Sequence, residues 1–192
     1  MQSDSPAPVH PLASALIRYA RRNPDQHDEV QLFLHWLAQA GREPVFTRDA
    51  LAGHFTGSAW LVDRAGHRVL LTHHRKLNRW LQLGGHADGE QDLARVALRE
   101  AEEESGLGSL DVEQHIFDID RHRIPARGDV PEHWHYDVRY VVRCRGDEQW
   151  QLSDESLALE WVPIDSLLDA PGLDDSMRRM ARKWLSENRG DK

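Results

Sequence analysis

The 192-residue sequence predicts an α/β or α+β sandwich. Two observations carry this. Short β-type runs recur between residues 56 and 163, interrupted by a single long helical stretch. Helical periodicity then brackets that region at both ends of the chain. Internal repeats and low-complexity segments do not occur, so solenoid and fibrous architectures are excluded.

Taken in order, residues 11 to 40 read as helical, with Leu12, Ala15, Leu16 and Tyr19 at helical spacing. Val30, Phe33, Leu34 and Leu37 repeat the pattern after a break at NPDQHDE. Pro44 and the polar stretch FTRDALAGH read as a linker, so residues 1–50 form a helical N-terminal extension. SAWLVD and RVLLTH are strands about the turn Arg64-Ala65-Gly66, and RWLQL runs into Gly84-Gly85. A helix is expected from Asp92 to Ser105, closed by Gly106 in a left-handed conformation. DVEQHIFDID is a strand, and 133–143 is the clearest one. There Trp134, Tyr136, Val138, Tyr140 and Val142 alternate with His133, His135, Asp137, Arg139 and Arg143. LALEWVP is a further strand, and MRRMARKWL a closing amphipathic helix within 171–192 that packs on the domain.

Composition narrows the function classes. Hydrophobic residues at 40% and charged residues at 29% can build a core and keep it soluble. No stretch approaches the ~20 apolar residues that span a bilayer, so no membrane association is expected. The start, MQSDSPAPVHPLASALI, lacks a basic n-region and carries three prolines, unlike a secretion signal. The lone Cys144 has no internal disulfide partner, which fits a cytoplasmic protein; at a strand end it reads as buried and inert. A net charge of -8 argues against DNA as a partner. It leaves room for phosphorylated small molecules held through a metal. Exposed helices at both ends could support a homodimer.

The informative segment is GGHADGEQDLARVALREAEEESGL, residues 84 to 107. At about 100° per residue, Leu93, Ala94, Val96, Ala97 and Ala101 share one sector, and Glu100 and Glu104 fall inside it. Glu103 lies at its edge, and Glu102 and Arg95 point the other way. Runs such as EAEEE usually form a solvated face, but here the inward stripe carries the acids. Glu100 and Glu104 are like charges at i, i+4, crowding a helix C-terminus whose dipole disfavours anions. A cation would neutralise them, and hard carboxylate oxygens select Mg²⁺ or Mn²⁺ over zinc. Gly84-Gly85 allow a tight approach before the helix, and Asp88 with Gln91 has the form of a capping box.

The segment resembles the Nudix hydrolase signature, G-x5-E-x7-R-E-U-x-E-E-x-G-U, with U a bulky apolar residue. Gly85, Arg99, Glu100, Glu103, Glu104, Gly106 and Leu107 match in register. Ala101 fills the first U position with a small residue, and Gln91 stands where the first Glu belongs. The resemblance spans residues 55–170 and implies an α/β/α sandwich with a mixed sheet. It also implies metal-dependent hydrolysis of a phosphoanhydride in a nucleoside diphosphate linked to X. By the same resemblance Glu100, Glu103, Glu104 and the Gly85 carbonyl are metal ligands, and Arg99 holds Glu100. The catalytic set is then Glu100, Arg99 and Glu104. The family's first Glu normally pairs with that arginine; Glu90, one position early, is the expected substitute. Glu100 is the candidate base, with Glu155 and Glu160 as acids outside the box.

HHRKLNRW, residues 73–80, supplies cations that could contact phosphate, or could simply form a basic hairpin tip. Arg75, Arg79 and His86 are the substrate-binding candidates. His133, His135 and Asp137 make an H-x-H-x-D pattern that binds zinc, lines a cleft, or is merely the polar side of a strand. Trp60, Trp80, Trp134 and Trp161 read as core rather than base-stacking platforms. Two rival readings remain. One is a catalytically weak nucleotide-binding regulatory domain, which the departure at Gln91 would suit. The other is a prenyl diphosphate isomerase on the same scaffold, which would need a catalytic cysteine.

Overall fold

The computed structural model describes residues 10–154 and 156–188. Helices α1 (Pro11–Arg22) and α2 (His27–Leu37) are joined by a 3₁₀ turn at Pro24–Gln26, where the sequence breaks. They are followed by β1 (Gly53–Val62), β2 (Arg68–His74), β3 (Arg79–His86), helix α3 (Leu93–Ser105), β4 (Leu110–Val112), β5 (Asp118–Ile124), β6 (His133–Cys144), β7 (Ser156–Pro163) and helix α4 (Asp175–Glu187).

The sheet runs β4-β6-β1-β3-β2-β7, with β5 also on β6. β1 and β6 are parallel and the other pairings antiparallel, so the sheet is mixed. Central β1 is buried along all ten residues, because both of its faces are covered. Phe55, Ala59 and Leu61 face a core shared with α1, α2 and α3. Trp60 and Val62 face a second core under Met177, Met180 and Trp184 of α4. This is the expected α/β/α sandwich.

Three elements differ from the sequence reading. The 44–54 segment is no free linker. Val45 and Phe46 are buried, and Phe46 stacks on Phe55 with ring centroids 5.1 Å apart. The helical extension therefore belongs to the same core as the sheet. The expected strand 111–120 is two strands, β4 and β5, each pairing with a different stretch of β6. The capping box does not form at Asp88. Asp92 caps α3 instead, accepting from Ala94 N at 3.2 Å and Arg95 N at 3.3 Å, while Asp88 adopts a left-handed φ of 48° in the loop. Gly106 ends α3 in the left-handed conformation, as its position predicts.

Candidate functional site

The end of β3 places two chemistries on opposite faces of the sheet. Gly85 pairs with Gly57 and faces α3, whereas His86 pairs with Thr56 and faces the other way.

On the α3 face, two carboxylates converge on the glycine turn. Glu104 is buried, and its Oε1 accepts the Gly84 backbone N–H at 2.8 Å. Glu100 lies so close to Gly85 that a Cβ there would stand 2.4 Å from Glu100 Oε2; only the bare backbone admits it. Arg99 donates from one terminal nitrogen to Glu100 Oε1 and to the His86 carbonyl, each at 2.9 Å, locking helix to strand. Its bond to Glu100 pushes the guanidinium pKa further up. Glu103 and Glu102 are exposed on the same helix. The donor set of Glu100, Glu103, Glu104 and the Gly85 carbonyl is all oxygen and mostly anionic, which fits a hard divalent cation.

Other candidates are dispersed. Arg75 and Arg79 sit at the β2–β3 hairpin tip, six strand residues or about 20 Å from Gly85. The Arg75 guanidinium is committed to the carbonyls of Asp154 and Ser156, each at 3.0 Å. β3 thus carries both away from the glycine turn. Glu160 lies exposed on edge strand β7, separated from β3 by β2, and Glu155 lies outside the described residues. Glu90 does not reach Arg99. Its carboxylate accepts the Asp92 N–H at 3.0 Å and lies 3.7 Å from Arg95. Gln91 instead meets His10 at the start of α1, Oε1 to Nε2 at 3.2 Å. Cys144 is buried, and burial raises its thiol pKa, which disfavours the thiolate form. Trp60 is core; Trp80 stacks on His73 at the hairpin rather than near the glycines, and Trp134 is flanked by Arg121 and Arg123.

On the opposite face His86 joins a group of imidazoles that the sequence pattern only half announced. Its ring centroid lies 5.0 Å from His54 and 5.1 Å from His135, and His133 and His122 complete the group. Burial first, then neighbouring His86, His133 and Arg48, lower the His54 pKa to about 4. Burial and the surrounding imidazoles lower that of His135 to about 2. Both are neutral at neutral pH. Asp137, the acid of the H-x-H-x-D pattern, is occupied elsewhere. It accepts from Thr56 at 2.9 Å, Ser58 at 2.8 Å and the buried Arg139 at 2.7 Å. His54, His86 and His133, with Arg48, Ala50, Leu51, Val130 and Pro131, line a pocket of about 220 Å³. Arg48 and His54 escaped the sequence analysis because no local pattern marks them; the fold alone brings them to His86.

The NUDIX domain family model matches residues 54–184. Among solved structures, an Ap4A hydrolase from C. elegans is 18% identical, with a TM-score of 0.56 over 71% of this chain and 98% of that one. The MutT protein from Methanosarcina mazei Go1 is 18% identical, with a TM-score of 0.55 over 70% and 94%. The E. coli dihydroneopterin triphosphate pyrophosphohydrolase is 16% identical, with a TM-score of 0.53 over 69% and 95%. At such identities the likeness is one of fold. A search of curated proteins gave no match. Among the described residues no helix is long and apolar enough to cross a membrane.

Proposed function

Since this chain belongs to the Nudix family and is a pyrophosphohydrolase of that type, we propose that it cleaves a phosphoanhydride in a nucleoside diphosphate linked to a further moiety. The observation that carries this reading is the convergence of Glu100 and Glu104 on the Gly84-Gly85 turn.

Glu100, Glu103, Glu104 and the Gly85 carbonyl would hold Mg²⁺ or Mn²⁺. A cation bound there supplies charge neutralisation at the phosphoryl oxygens and a lowered pKa for the attacking water. The chain's own residues do the rest. Arg99 fixes the Glu100 carboxylate in one orientation through its two acceptors, so that Glu100 can accept the proton of the attacking water. The Gly84 N–H restrains Glu104 in the same way. Arg99 is therefore a positioning residue, and Glu100 and Glu104 belong to the reacting site. His86 and Arg48 would contact the part of the substrate beyond the cleaved bond, a reading supported by their lining one pocket next to the glycine turn.

A screen of dinucleotides (Ap4A among them, after the C. elegans relative), nucleotide sugars, nucleoside triphosphates and prenyl diphosphates tests the reading. Each is offered with Mg²⁺ or Mn²⁺, and mononucleotide or phosphate release is followed. Turnover of at least one nucleotide class, abolished by EDTA and restored by metal, is expected. Undiminished turnover in excess chelator, or turnover of prenyl diphosphates alone, would overturn it.

A further inference from the structure

We propose that His54, His133 and His135 form a second metal site, for a divalent transition cation of the zinc class, on the sheet face opposite the carboxylates. One nitrogen from each imidazole lies within 4.8 Å of one from each of the others. Strand register brings them together. His54 on β1 stands beside His135 on the parallel strand β6, and His133 lies two residues along the same face. Tetrahedral nitrogen ligands at zinc distances stand about 3.3 Å apart, so side-chain rotations of about 1 Å close the site.

Unmet hydrogen bonding is the second, independent observation. His54 is only 3% exposed, and its ring nitrogens, like His135 Nε2, are buried without a well-formed hydrogen bond; the Ala50 backbone is the one group that approaches the His54 ring as an acceptor. Of the six such side-chain atoms among the described residues, three fall in this one cluster. Buried imidazole nitrogens rarely go unsatisfied unless something else is to occupy them. The neutral His133 ring has the tautomer that ligation through Nε2 needs. Its Nδ1 donates to the Pro131 carbonyl at 2.9 Å, and a carbonyl can only accept, so the lone pair of the neutral ring sits on Nε2. Low basicity keeps His54 and His135 in the neutral, ligating form. An all-imidazole donor set selects zinc-type ions over Mg²⁺. Arg48, a permanent positive charge lining the adjoining pocket, is offset by its two bonds to Asp88 at 2.9 and 3.0 Å. Three protein nitrogens leave a fourth coordination position for a solvent or ligand atom.

The test is a titration of the full-length protein, stripped with EDTA and desalted, with Co²⁺ and Zn²⁺. One equivalent of Co²⁺ should bind with the visible absorption of a tetrahedral nitrogen-rich centre, displaced by Zn²⁺ but not by excess Mg²⁺. With twelve histidines in the chain, site assignment needs variants. His54→Gln and His133→Gln should each weaken Zn²⁺ at least about 100-fold, whereas Glu103→Gln should leave it unchanged. Absence of saturable Zn²⁺ binding by the wild type, survival of binding in both histidine variants, or its loss in Glu103→Gln each overturns the proposal. Should the histidine variants fail to fold, zinc K-edge absorption of the loaded wild type decides. Three imidazole ligands support the site, and fewer overturn it.

Discussion

The two faces of the β3 terminus were assembled from the sequence in different ways. On one face Gly84, Gly85, Arg99, Glu100 and Glu104 come from a single run of 21 residues, and helix periodicity alone aims the acids inward. On the other, His54 meets His133 and His135 across about 80 residues, through a parallel pairing of β1 with β6. Chemistry borne by one helix and the turn before it is written in local spacing. Chemistry borne by strand register is not, because register is fixed by what the two strands bury.

The comparison also separates acids that act from acids that hold the fold. At the turn, Glu103→Gln and Glu104→Gln should each cost about 3 kcal/mol of transition-state stabilisation, on the order of 100-fold in kcat/KM, without loss of melting temperature. Glu102→Gln, exposed on the far side of α3, should be nearly silent. Equal losses at all three positions would break the helix-face argument. Under the imidazoles, Asp137→Asn should act on stability instead. It removes the charge that Arg139, Thr56 and Ser58 share, and about 2 kcal/mol of folding free energy should go with it. Complete loss is not expected, because Arg139 keeps Asp118 and Asp120, each at 3.4 Å. A chemical denaturation series checks this, and an Asp137→Asn protein as stable as wild type would place that acid with the functional group.

How much could be read in advance follows the same division. The sandwich, the inward acids of α3 and its left-handed terminator at Gly106 were legible because each depends on near neighbours in sequence. Arg79 lies far from Gly85 despite its closeness in sequence, because the intervening chain is an extended strand, where six residues mean about 20 Å. A helix of six residues would have kept Arg79 within about 9 Å. The H-x-H-x-D pattern contains two of the clustered imidazoles, but its acid is not the third member of the cluster. Asp137 shares their face but sits over Thr56 and Ser58, whose hydroxyls satisfy it. His54, the third imidazole of the cluster, carries no local signal.

The smallest expected effect concerns the departure at Gln91, where the family's glutamate is missing. On spacing alone, Glu90 is the natural substitute as partner of Arg99, and Glu90→Gln should then lower activity. The geometry argues otherwise. Glu90 spends its carboxylate on the Asp92 N–H, beside Arg95, and Arg99 is already satisfied by Glu100 and the His86 carbonyl. Glu90→Gln should therefore change kcat/KM by less than about twofold. Gln91→Glu should be equally quiet in catalysis, because the side chain at 91 faces His10 rather than Arg99. Its effect should appear instead at the α1 contact, as a small salt-sensitive change in melting temperature. A clear gain in kcat/KM from Gln91→Glu would mean that Arg99 turns from Glu100 to the new carboxylate, and that the turn is less self-contained than its hydrogen bonds make it.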